Sequence, residues 1–211
     1  MVQERQAVQD MASDTNIMTK PPGAVLHPGS RAIFRHWEAI RGESPAPDRD
    51  DLDLRQLGQF VSWLFIMERS PRTGGYVWRL AGSKVCELWR RELTGSEVLT
   101  GWDRFEFETI QRLLNGVSKN LQPCTLRLRL TTSLGRIIDV EVIALPMRAR
   151  DGSIHVFGGV LPFRDAEALG HERIASIDLS SARTIWTEPV PGDHASRRAK
   201  VPLRLVSGGS D

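Results

Sequence analysis

Between Tyr76 and Gly95 the spacing of apolar residues changes from period two to helical period within one residue pair. Tyr76, Trp78 and Leu80 alternate as one face of a strand. After Gly82-Ser83, the residues Val85, Leu88 and Trp89 fall at i, i+3 and i+4, as one face of a helix that stops at Leu93-Thr94-Gly95. A strand that runs directly into short helices folds them back over its own sheet and encloses an apolar concavity.

The rest of the chain extends this unit. Ser30 as N-cap and Gly42 as the residue after the last turn bracket a helix over 30–42, with Ile33, Phe34, Trp37 and Ile40 as its apolar stripe. Residues 60–68 are almost continuously apolar, as in a strand covered on both faces. Asp103 to Asn115 reads as a second amphipathic helix, its apolar side formed by Trp102, Phe105 or Phe107, Ile110, Leu113, Leu114 and Val117. Asn115-Gly116 reads as its stop signal. Leu126, Leu128 and Leu130 alternate with Arg127 and Arg129, and Ile138, Val140 and Val142 alternate with Asp139 and Glu141. A hairpin loop at Ser133-Leu134-Gly135 sets Arg129 opposite Asp139 and Arg127 opposite Glu141, with Gly135 taking the left-handed position. Asp151-Gly152 turns the chain into a last strand over 154–163.

The order helix, strand, strand, helices and three hairpin-linked strands predicts an α+β fold with a five-stranded antiparallel sheet and helices on one face. Residues 1–29 read as a disordered or loosely attached segment, 30–187 as the domain, with a strand or docking segment after 163, and 188–211 as a flexible tail.

Composition narrows the function classes. The chain has 211 residues and a formal net charge of +2, too small to argue for nucleic acid or an acidic membrane. No apolar run is long enough to span a bilayer, and no secretory signal is readable in residues 1–20. The two cysteines, Cys86 and Cys124, read as reduced thiols and so favour a cytoplasmic protein over one stapled by a disulfide.

The element order resembles that of PAS domains, bacterial sensory and interaction modules, and is closest to small bacterial proteins in which the domain makes up nearly the whole chain. The resemblance rests on F-R-H-W-E-A-I-R-G at 34–42, Y-V-W-R-L-A-G-S-K-V-C-E-L-W-R-R-E-L-T-G at 76–95, P-C-T-L-R-L-R-L at 123–130 and V-F-G-G-V-L-P-F at 156–163. It implies a PAS-like five-stranded sheet, a core responsive to a ligand or partner, and frequent dimerisation through helices outside the sheet. It supplies no ligand.

Trp78, Leu80, Val85, Leu88, Trp89, Ile110 and Leu114 are the candidate lining of the space between sheet and helices. They read either as a small-molecule pocket or as a filled core. Large aromatics fill volume efficiently, which favours the filled core. Ile33, Phe34, Trp37 and Ile40 either dock on the chain's own sheet or form a homodimer interface. Cys86 lacks the N-C-R-F-L-Q-like surroundings of a flavin photosensor cysteine, and the 103–116 helix lacks the histidine of haem-binding PAS domains. Flavin and haem are therefore disfavoured and the cofactor is left unknown, with His155 or a cysteine as the remaining candidate haem ligands. His36 reads as an ordinary histidine of the N-terminal helix. Arg31 and Arg35 form half of a cyclic-dinucleotide motif whose second half is missing, so they read as a solvated helix face. Arg197, Arg198, Lys200 and Arg204 make a mildly basic tail without a recognition-helix pattern.

The leading expectation is a non-enzymatic, cytoplasmic PAS regulator acting through a signalling protein partner, as a homodimer, with a small apolar ligand as modulator. An enzyme or ligand carrier with an apolar pocket in a cone-like fold is the alternative from another class. It needs an inward titratable group, whereas Asp139 and Glu141 lie on the face predicted to point outward. A DNA-binding regulator is the third reading.

Overall fold

The computed structural model describes residues 24–164 and 172–187. One sheet of six antiparallel strands, ordered β2-β1-β5-β4-β3-β6, forms its centre. In chain order the elements are α1 (Pro28–Arg41), two 3-10 segments (Arg49–Asp51 and Leu54–Trp63), β1 (Leu64–Arg69), β2 (Tyr76–Ala81), α2 (Ser83–Trp89), α3 (Arg104–Asn120), β3 (Cys124–Thr132), β4 (Ile137–Arg148), β5 (Ile154–Pro162) and β6 (Ile174–Thr184). The sixth strand is the segment expected after 163, and it pairs along the whole of β3. The tail arginines and lysine at 197–204 lie outside the described residues, as do residues 1–23.

The β3–β4 hairpin has the expected register, with Arg129 opposite Asp139 and Arg127 opposite Glu141. Gly135 supplies the left-handed residue of its turn at φ 81°, and Gly152 does the same before β5 at φ 82°. The first strand begins at Leu64 rather than at residue 60, because a 3-10 segment occupies 54–63. Helix α3 runs through Asn115-Gly116 to Asn120. Val117 is fully buried beyond the expected stop, and the Tyr76 hydroxyl bonds Asn115 and Ser118, so tertiary contacts carry the helix onward. Phe105, expected on its apolar side, is 77% exposed.

Helices cover both faces of the sheet, not one. On one face α2 and α3 pack over Phe65, Met67, Trp78, Leu126, Leu128 and Val142. On the other, α1 packs Ile33, Phe34 and Trp37 against Ile143, Leu145 and Phe157. Of the two readings of the stripe, this is docking on the chain's own sheet and not a dimer interface: Ile33, Phe34 and Trp37 are each no more than 1% exposed in the single chain. Trp37 also donates its indole N–H to the Pro146 carbonyl at 2.7 Å. Only Ile40 of the stripe remains half-exposed. Burying the stripe on its own sheet removes its apolar surface from water without a second copy.

His27, not Ser30, caps α1, its imidazole accepting from the Gly29 N–H at 3.0 Å. Residues 24–29, expected to be loosely attached, are pinned. Val25 is buried, and the Leu26 and His27 N–H groups donate to the Glu141 carboxylate at 2.9–3.2 Å. Arg31, exposed on the helix face like Arg35, also donates to the Val25 carbonyl in the same arm. Glu141, expected to point to solvent, is therefore 1% exposed and satisfied by backbone donors. Gly158 permits the central strands to close. A Cβ there would stand 1.8 Å from the Ile143 carbonyl oxygen and 2.8 Å from the Phe65 ring.

Candidate functional site: the cavity under the helical cover

The turn from β2 into α2 builds one wall of the site. Gly82 N–H donates to the Leu64 carbonyl at 2.8 Å, and a Cβ on Gly82 would lie 2.2 Å from the Ser62 carbonyl oxygen. Only glycine lets the chain leave the strand this close to β1 and start a helix over the sheet. Helix α2 ends after two turns at Arg90, in the left-handed conformation at φ 53°. The loop that follows is sewn back onto β2: Gly95 N–H donates to the Trp78 carbonyl, Trp78 N–H to the Ser96 carbonyl, and Val98 N–H to the Tyr76 carbonyl. Asp103 caps α3 through its carboxylate, accepting from the Glu106 N–H at 3.0 Å.

These elements do not close over the sheet. Between them lies a cavity of 570 Å³, within the ~300–1,000 Å³ typical of small-ligand sites. Its floor is the sheet: Phe65, Met67, Leu126, Leu128, Val142 and Val160. Its roof includes Trp89, Trp102, Ile110 and Leu114. The exposed lining residues Arg90, Arg91, Thr100, Arg173 and Ser176 mark its mouth. The space is thus incompletely filled, with Trp78, Ile110 and Leu114 both buried in the core and bordering the cavity. Trp78 and Phe65 pack edge to face at 5.5 Å, yet the loop over 94–103 arches away and leaves the space between them and α3 empty.

Of the candidate lining, Trp78, Trp89, Ile110 and Leu114 border the cavity. Val85 and Leu88 are buried in the packing beneath α2 and do not reach it. Leu80 is corrected outright, being 43% exposed. The β1–β2 register shifts, so that Ile66 pairs with Leu80 while Met67 pairs with Trp78, and the extra residue at Arg79 turns Leu80 to the outside. Sequence reading missed the mouth arginines and Met67. A helix ending in Arg-Arg beside an apolar concavity was the available signal.

The titratable groups nearby are occupied elsewhere. Both cysteines are free thiols. Burial pushes the Cys86 thiol above its ordinary value, and its sulfur sits 3.6 Å from a Glu92 oxygen. Burial alone pushes Cys124 up to about 12. Neither is a thiolate at neutral pH. His155, held below its ordinary value by burial, stands 3.7 Å from Glu68. None of the three lines the cavity, so the remaining haem-ligand candidates do not reach it. His36 is buried on α1, on the opposite face of the sheet. Among the described residues, no three His, Cys, Asp or Glu side chains gather as a metal site. No helix among them is long and apolar enough to cross a membrane.

The sequence matches one family model, described as PAS domain, over residues 25–162. The chain belongs to the PAS domain family. No curated protein matches it in sequence. Family membership assigns the chain a sensory or regulatory role in signal transduction in its general form. The cavity lies between the sheet and the helices that follow the second strand.

Proposed function

We propose that this chain is a non-enzymatic sensory protein that takes up a small ligand in its PAS core and acts through a protein partner. The observation that carries this reading is the apolar cavity of 570 Å³ beneath the helical cover. Among the described residues no Asp, Glu, His or Cys lines it, so none of them offers a general base or nucleophile to a bound molecule. A ligand that prefers one arrangement of the 94–103 loop and of the start of β6 shifts the population toward it. The reading takes the protein as cytoplasmic and as a homodimer. Its dimer contact uses surfaces other than Ile33, Phe34 and Trp37, which are buried in the single chain.

Native mass spectrometry of the purified chain with an absorbance spectrum, followed by hydrogen exchange with and without the identified ligand, tests the reading. The expected result is a non-covalent small-molecule adduct whose addition protects 94–103 and 173–177 in a chain of dimer mass. Chemical turnover of the bound molecule, or a ligand that leaves exchange in these segments unchanged, would overturn it.

A further inference from the structure

Among the described residues, the mouth of the cavity carries one sign of charge: Arg90, Arg91 and Arg173 line it, and no acidic residue does. The chain as a whole is nearly balanced, with 28 Lys and Arg against 26 Asp and Glu, so an all-cationic rim is not a reflection of bulk composition. Among the described residues, no carboxylate lies within ion-pair distance of these three guanidinium groups.

Three carboxylates of the surrounding segments are committed to other donors. Glu92 accepts from the Leu93 and Thr94 N–H groups at 3.1 and 3.0 Å. Glu106 accepts from the Leu179 N–H at 2.6 Å. Glu172, next to Arg173, accepts from the Thr132 hydroxyl and pairs with Arg136 at 3.0 Å. Arg90 also occupies a left-handed position, at φ 53°, where a glycine would sit without strain. Arginine there strains the backbone but sets a guanidinium at the opening.

Resting on the reading of the PAS core as a ligand site, we infer that its ligand is an amphipathic oxyanion. The apolar body lies between the sheet floor and Trp89, and a single carboxylate or phosphate head emerges among Arg90, Arg91 and Arg173. The forked donors of arginine match either head. Thr100 and Ser176, also at the mouth, add hydroxyls. The apolar walls exclude a small hydrophilic anion, and the rim selects against a neutral or cationic amphiphile.

Tryptophan fluorescence and calorimetric titrations of the full chain with decanoate, decyl phosphate and decanol test this at low and high salt. At least one of the two anions should bind roughly tenfold or more tightly than decanol, as charge-assisted hydrogen bonds imply. That preference should shrink as salt screens the rim. The stronger of the two anions identifies the head group. Arg90→Gly should weaken anion binding while leaving decanol binding and the thermal midpoint unreduced, since glycine suits the left-handed position. Arg91→Gln with Arg173→Gln should abolish the preference. Decanol binding as tightly as both anions in the wild type would overturn the oxyanion assignment and leave the ligand-binding core standing. If none of the three binds and the purified chain carries no small molecule, both fail together.

Discussion

The two faces of the sheet are both apolar and both covered by helices, yet one is solid and the other hollow. Against the first lies α1, a single helix of 14 residues. Its Ile33, Phe34 and Trp37 interdigitate with β4 and β5, Trp37 bonds Pro146, and the arm before the helix bonds Glu141. Against the second lie a helix of 7 residues, an irregular loop and a helix of 17 residues, and these leave 570 Å³ unfilled. The difference separates two tasks. A continuous helix makes a rigid back that fixes the strands, whereas a segmented cover can rearrange over a guest without disturbing them.

The largest effect that separates the faces is the truncation of tryptophan. Trp37→Ala should cost about 3–5 kcal/mol in urea unfolding, because it opens a void in dense packing and leaves the Pro146 carbonyl unpaired. Trp89→Ala, half-exposed and already bordering the cavity, should cost about 1 kcal/mol. Equal losses would break the comparison.

Additions of volume should separate the faces in the opposite sense. A Cβ on Gly159 would meet Ile33 Cδ1 at 2.7 Å and Leu161 Cδ2 at 2.8 Å on the solid face, so Gly159→Ala should destabilise by about 1–3 kcal/mol. Ala144→Val grows into the cavity instead. It should change stability by less than about 1 kcal/mol, while lowering ligand affinity in a fluorescence titration. A destabilising Ala144→Val would mean that the cavity face is as tightly packed as its counterpart.

A pH dependence belongs to the solid face. His27 accepts from Gly29 N–H through Nδ1, and its Nε2–H donates to the Pro162 carbonyl at 3.0 Å, so protonation at Nδ1 removes the cap of α1. Burial lowers the folded pKa below the ordinary value, outweighing the opposing pull of the Pro162 bond and the Glu141 charge. The unfolded chain therefore takes up the proton first. Stability is full above about pH 6.5 and declines as pH falls below it. His155 is shifted the same way by burial and adds to the decline. Urea midpoints followed down through that range should fall less steeply in His27→Asn, which keeps a capping acceptor without the titration. An unchanged slope would remove His27 from the account.

The smallest effect is kinetic. Cys124, buried on the cavity face with its thiol pushed up to about 12, should label only through opening of the chain, whereas the partly exposed Cys86 labels first. Rapid labelling of Cys124 in the folded protein would show that the sheet beneath the helical cover opens without unfolding.

The sequence carried most of the frame. Strict alternation with opposed charges determined the β3–β4 register, since a slip of one residue would reverse every side chain. The turn glycines were equally legible. Which face α1 covers was not, because both faces of β1, β4 and β5 are apolar and periodicity alone does not choose between them. The burial of Glu141 depends on N–H donors 114 and 115 residues away in sequence, which no local pattern encodes. Leu80 was misplaced because one extra residue at Arg79 reverses the alternation. The choice between pocket and filled core was not legible, because void volume depends on the path of the 94–103 loop, whereas composition reports only the sizes of the side chains.

That same irregularity governs how copies of the molecule meet. The outermost strands are β2 and β6. The first is displaced at Arg79, and the second breaks register with β3 at two places, with Glu106 also occupying the Leu179 N–H. Neither border offers a straight, vacant ladder onto which another molecule could add strand by strand. Crowded copies are thereby protected from fibril-like polymerisation, although the sheet they carry is wide and apolar on both sides.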